Sequence, residues 1–152
     1  MKRSMTQELL FQPADVVMAA IMDVPPWTPW RPGLLDTKNL SDDPVVPGSA
    51  WTEERALTRR SLRLSARTVE VDPPRTFAYA LEGDGIEASL RWQAATVPSD
   101  TMVSLEVRAR PSSLRARLAG LAQDFAVQQS HSLSQLRQFV EANAAETTET
   151  HP

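Results

Sequence analysis

The side chains best suited to hold or act on a ligand fall where the sequence pattern buries them. Gln129 gives the sharpest signal. In the last helical pattern, Leu118, Ala122 and Phe125 lead by helical steps to Gln129, then to Ser132 or Leu133 and on to Leu136. A buried amide without partners costs on the order of 1–3 kcal/mol. Gln129 and Ser132 therefore either anchor a ligand under that turn or bond nearby protein groups. Tyr79, the only tyrosine, shares a strand face with Phe77 and Leu81. Its buried hydroxyl needs a partner, which is either a ligand carbonyl or a core group. Trp51 and Trp92 lie on strands and either line a cavity with Phe125 or fill it. Trp27 and Trp30 flank a proline-rich turn.

Other chemistries are poorly supplied. There is no cysteine, so thiolate nucleophiles, disulfides and cysteine metal sites are excluded. Of the two histidines, His151 is in the tail and His131 faces another side of the helix from Gln129, which leaves no Ser–His–Asp triad. The glycine spacing makes no phosphate loop. We expect no cofactor and no metal. The arginines at 55, 59, 60, 63 and 67 read as a solvated strand face paired with Glu53, Glu54 and Glu70. Aromatic residues are not interleaved with them, and the net charge is −3, so nucleic acid is not an expected partner. On this reading the inward faces carry neither carboxylate nor histidine.

The elements that must position these residues can be read from turns and alternation. With 152 residues, one domain is expected over residues 1–143, followed by a disordered polar tail over 144–152. No apolar run approaches the ~18 residues of a membrane span, and the basic start, Met1 to Met5, leads into no signal-length segment. The chain reads as cytoplasmic. Residues 5–11 form a first strand. Pro13 then opens a short helix that ends at Pro25-Pro26. Leu34–Leu40, Ala50–Leu57, Ser61–Val71, Thr76–Leu81, Ile86–Ala95 and Met102–Ala109 alternate as strands of an antiparallel sheet with one dry face. Leu62 and Leu64 are out of phase with Val69 and Val71, which a β-bulge near Ala66–Thr68 reconciles. One long amphipathic helix, Ser112–Asn143, closes the chain, with Ser112 or Ser113 as its cap and Gly120 as an early interruption. A helix that long needs a large apolar partner, and a curved sheet provides it.

This order resembles the START-like, or SRPBCC, superfamily with its helix-grip fold, and most closely its polyketide cyclase/dehydrase and lipid-transport branch. The stretches that carry the likeness are Pro13 to Val17, Trp27 to Gly33, Val46 to Trp51, Val69 to Tyr79, and Leu136 to Glu141. The resemblance implies an α+β fold with a curved sheet of six to seven strands around the C-terminal helix. It also implies a lid near the cavity mouth at Trp27 and Trp30, which otherwise plug one end of the core. No catalytic motif is shared across that branch, so no catalytic residue follows from it. The leading expectation is binding of a small, mostly apolar molecule (a lipid, isoprenoid or polyketide-like compound) between sheet and helix, by Trp27, Trp30, Trp51, Tyr79, Trp92, Phe125, Gln129 and Ser132. A cyclase or dehydratase using Tyr79, Gln129 and an inward arginine comes second. A ligand-free interaction module acting through the outer sheet face comes third.

Overall fold

The computed structural model describes residues 2–23, 30–57 and 60–149, the side chains of 144–149 excepted. Its elements follow the expected order: β1 (Lys2–Leu10), α1 (Ala14–Met22), β2 (Leu34–Lys38), β3 (Ala50–Leu57), β4 (Arg60–Asp72), β5 (Thr76–Gly83), β6 (Ile86–Val97), β7 (Asp100–Pro111), α2 (Leu114–Leu118), α3 (Leu121–Gln129) and α4 (Ser132–Glu149). The strands form one antiparallel sheet in the order β1-β7-β6-β5-β4-β3-β2, so β1 and β2 are its edges. Alternate residues point to the helices. On β6 these are Ile86, Ala88, Leu90, Trp92 and Ala94; on β7 they are Thr101, Val103, Leu105, Val107 and Ala109. The sheet curves around the C-terminal helical segments, and Leu121, Phe125, Leu133, Leu136 and Val140 complete the core from that side.

The phase change in β4 is a bulge, one step later than expected. Leu62, Leu64, Ala66 and Thr68 all face inward, and the register shifts between Thr68 and Glu70, leaving Val69 exposed. Thr68 is pinned from the loop before β3: its hydroxyl donates to Val46 O at 2.5 Å and its amide to Ser49 O at 2.9 Å. The extra residue therefore comes after Thr68, where the strand is free to bend.

The closing helix is not one rod. Gly120 adopts a left-handed conformation (φ 70°) that ends α2, and a Cβ placed there would meet nothing within 4 Å. Conformation alone breaks the helix at this point. Ser113 caps α2, accepting from the Ala116 amide at 3.1 Å. A second break follows Gln129. The Ser130 hydroxyl donates to Val127 O, the Ser134 hydroxyl donates to His131 O, and the backbone tightens there to i→i−3 bonds. Beyond it, α4 runs to Glu149, past the Asn143 at which the apolar pattern stops. Ala144, Ala145 and Glu146 are good helix formers and carry it on.

Candidate functional site

β3 supplies the centre of the site. Trp51, Glu53, Arg55 and Leu57 take its inward face, and Thr52, Glu54 and Ala56 the other. This corrects the expected placement of Glu53 and Arg55 on the wet face: both side chains are 0% exposed. The remaining described arginines of the run, Arg60, Arg63 and Arg67, are exposed, and Arg63 pairs with Glu54 at 3.3 Å. The interior thus holds a carboxylate after all.

Glu53 is fully engaged. Its Oε2 accepts from Arg55 Nη2 at 3.0 Å and its Oε1 from Trp51 Nε1 at 3.2 Å. Arg55 Nη1 donates to Pro32 O at 2.7 Å, and the guanidinium lies 5.6 Å from the centre of the Phe125 ring. Arg55 Nε, sealed from solvent, meets no acceptor among the described residues.

A second buried cation, Arg31, comes from the turn before β2. Its Nη1 donates to the Tyr79 hydroxyl at 2.8 Å and its Nη2 to Ile21 O at 2.9 Å. The guanidinium lies over two indoles, 4.5 Å from the Trp30 ring centre and 4.7 Å from that of Trp92. Burial lowers the pKa of Arg31 to about 10, with Tyr79 and Glu53 opposing the shift and Arg55 adding to it, so the group remains a cation at neutral pH. Burial also raises the pKa of the Tyr79 phenol, with Arg31 pulling against it. The Trp92 indole N–H lies beside that phenol without hydrogen-bond geometry to it or to any other described acceptor.

These groups form one connected cluster. Trp30 meets Trp92 edge-on at 5.7 Å and Phe139 of α4 at 6.4 Å, while Trp51 meets Tyr79 at 5.3 Å. Gln129 and Ser132 are fully buried and hold each other by a long bond, Ser132 Oγ donating to Gln129 Oε1 at 3.3 Å. The Gln129 amide donates to Gln128 Oε1 at 3.4 Å, and Gln128 donates to Ala56 O at 2.6 Å, next to Arg55. Gly33 allows that contact, because a Cβ there would sit 2.1 Å from Gln128 Nε2. Of the expected site residues, Trp30, Trp51, Tyr79, Trp92, Phe125, Gln129 and Ser132 all face the interior. Trp27 lies outside the described residues. Among the described residues, no three His, Asp or Glu side chains sit close enough together to hold a metal ion.

Sequence reasoning missed Glu53, Arg31 and Gln128. For Glu53 a signal existed, since it shares the parity of Trp51 and Leu57. Arg31 sits in an irregular turn, where no periodicity applies. Two open hollows lie away from this cluster. A groove of about 850 Å³ crosses the outer sheet face past Thr52, Ser65, Arg67 and Ser89. One of about 500 Å³ lies between α1 and the β4–β5 turn.

No protein-family model matches this chain, and no curated protein matches it by sequence. Solved structures do match it in shape. A Thermus thermophilus protein superposes with a TM-score of 0.76 at 14% identity, covering 93% of this chain and 99% of its own. The Zhui aromatase/cyclase of a Streptomyces species gives 0.73 at 14% identity, covering 94% and 95%. Ara h 8.0201 gives 0.70 at 11% identity, covering 93% and 98%. The chain shares a helix-grip α+β fold with these structures. In this helix-grip protein the buried cluster occupies the space between the sheet and the C-terminal helices. No helix of the described residues is long and apolar enough to cross a membrane.

Proposed function

We propose that this helix-grip protein binds a small, mostly apolar molecule between its sheet and the α3–α4 segments, within the cluster of Trp30, Trp51, Tyr79, Trp92, Phe125, Gln129 and Ser132. The observation that carries this reading is a sealed interior furnished with polar groups that the protein itself leaves underused. Arg55 Nε and Trp92 Nε1 have no acceptor among the described residues, and the bonds of Gln129 are 3.3–3.4 Å long. A core selected for stability alone favours apolar filling or complete pairing. The broken helix supplies the means of entry. Hinges at Gly120 and Ser130 let α3 move against its neighbours, and movement of α4 carries Phe139 off Trp30. Native mass spectrometry with denatured extraction tests the reading, and a stoichiometric hydrophobic passenger is expected. An empty protein that also fails to bind the neutral probe N-phenylnaphthylamine would overturn it and turn attention to the outer-face groove.

A second reading, a cyclase- or dehydratase-type enzyme acting on a poly-β-keto chain in the same space, is favoured by one observation. Glu53 and Tyr79 place acid–base groups beside Arg31 and Arg55 in the interior. The likeness to the Zhui aromatase/cyclase is in keeping with it. Cyclisation of a synthetic poly-β-ketone, followed by mass spectrometry and abolished by Glu53→Gln, is the expected result. A product distribution identical to that without protein would refute it.

A further inference from the structure

We propose that the short helix α2 docks on an anionic lipid surface, with Leu114 and Leu118 entering the acyl boundary and Lys2, Arg115 and Arg117 meeting phosphate headgroups. This surface lies apart from the interior cluster and does not depend on what that cluster binds. Of the five residues of α2, only Ala116 is buried. It packs on the β5–β6 turn, where a Cβ on Gly85 would come within 2.7 Å of its own, and the Ser112 amide donates to Gly85 O at 2.7 Å. The helix is thus anchored through its one small inward residue, and the other four side chains point out. Leu114 is 70% exposed and Leu118 80%, and a spacing of four sets them on one face. Leaving two leucines in water is unfavourable until an apolar partner covers them.

The charges around these leucines are cationic. Arg115 and Arg117 are exposed, and neither pairs with an acid among the described residues. A hollow of about 840 Å³ beside the helix is lined by Leu114, Arg117, Lys2, Ser112 and Gln123, and among the described residues no carboxylate lines it. The acids at this end are engaged or set back. Glu87 accepts from Arg110, Asp84 accepts from the Arg63 amide, and Asp124 stands in the first turn of α3, outside the lining. The chain as a whole carries −3, but charges more than about 10 Å apart are screened at about 0.1 M salt, so the local cations decide. A stable protein partner needs about 800 Å² of complementary surface, more than a five-residue helix offers. A bilayer supplies an apolar layer beneath an anionic one and needs no matching shape. Lys2 and Arg117, sharing the walls of one hollow, seat a headgroup phosphate while the leucines reach past it.

The test is sedimentation of the full chain with vesicles of equimolar phosphatidylglycerol and phosphatidylcholine, and with vesicles of phosphatidylcholine alone. Each lysine or arginine near such a surface is worth about fivefold in partitioning, so the three cations should favour the anionic vesicles by on the order of a hundredfold at low salt. Raising the salt to about 1 M should remove most of that preference. Leu114→Ser with Leu118→Ser should lower partitioning at least about tenfold and leave the thermal unfolding midpoint unchanged, because both side chains are already exposed. Arg117→Gln should lower it about fivefold. Val69→Ser, at a 65% exposed position on β4, should change nothing. Failure to bind the anionic vesicles, equal binding to both kinds, or full retention of binding by the double leucine variant overturns the proposal. Loss of binding in Val69→Ser overturns it too, by placing the contact elsewhere.

Discussion

Replacing Arg55 by methionine separates a buried ion pair from a surface one by magnitude alone. The Arg55 and Glu53 side chains are both 0% exposed, with Nη2 and Oε2 at 3.0 Å. Arg55→Met strips the buried Glu53 carboxylate of its cationic partner and removes the donor to Pro32 O. Breaking a buried pair in this way costs about 3–5 kcal/mol, against about 0–1 kcal/mol for an exposed pair. With a urea dependence of about 2 kcal/mol per molar for a domain of this size, the unfolding midpoint should fall by roughly 2 M. Adding Glu53→Gln to Arg55→Met removes the stranded charge and should recover about half of the loss, so the double variant is more stable than Arg55→Met alone. Urea titration followed by tryptophan fluorescence and far-UV dichroism reads all three proteins. A loss below about 1 kcal/mol for Arg55→Met, with simple additivity in the double variant, would refute the buried placement of the pair.

Three further outcomes follow from named contacts. Gly33→Ala should cost about 2–4 kcal/mol, because φ is +73° and the new Cβ meets Gln128 Nε2 at 2.1 Å and Ala56 O at 2.7 Å. Gln128→Ala should rescue it only in part, since the backbone clash remains, and full rescue in a denaturation cycle would contradict this. Tyr79→Phe removes the hydroxyl that accepts from Arg31 and should cost about 1–3 kcal/mol; a change under about 0.5 kcal/mol would count against that bond. Asp23 has its pKa raised by burial and then by Asp43, so its carboxyl favours folding when protonated. That contribution is complete below the unfolded value of 3.8 and is lost as pH rises through the higher folded one. Asp23→Asn should therefore raise the melting temperature at pH 7 and leave it unchanged near pH 3; an equal gain at both would show the charge to be irrelevant.

Much of the fold was legible because it rests on local chemistry. The turns Asp72 to Arg75 and Glu82 to Gly85 punctuate strands whose alternation shows directly in Phe77, Tyr79 and Leu81. Gly120 was legible as an interruption, though whether it broke the helix or admitted a neighbour depended on what lay beside it. The site was legible in its aromatic half. Its charged half was read the wrong way, because a charged residue on a strand usually faces water and residue type was weighed above parity. Arg31 could not be placed at all, since a proline-rich turn has no period to count.

The sequence by itself determined the element order, the inward faces of β5, β6 and β7, a serine cap at Ser112 or Ser113 and the burial of Gln129, all consequences of side-chain period and backbone preference over a few residues. Only the tertiary structure decided that Arg55 and Glu53 turn inward, that Arg31 lies over Trp30 and Trp92, and that Gln128 reaches Ala56. The reason is physical: a buried charge is tolerable only where distant partners converge on it. Here Arg55 requires Pro32 O, Glu53 and the Phe125 face, partners from the turn, the strand and the helix, which no single stretch of chain contains.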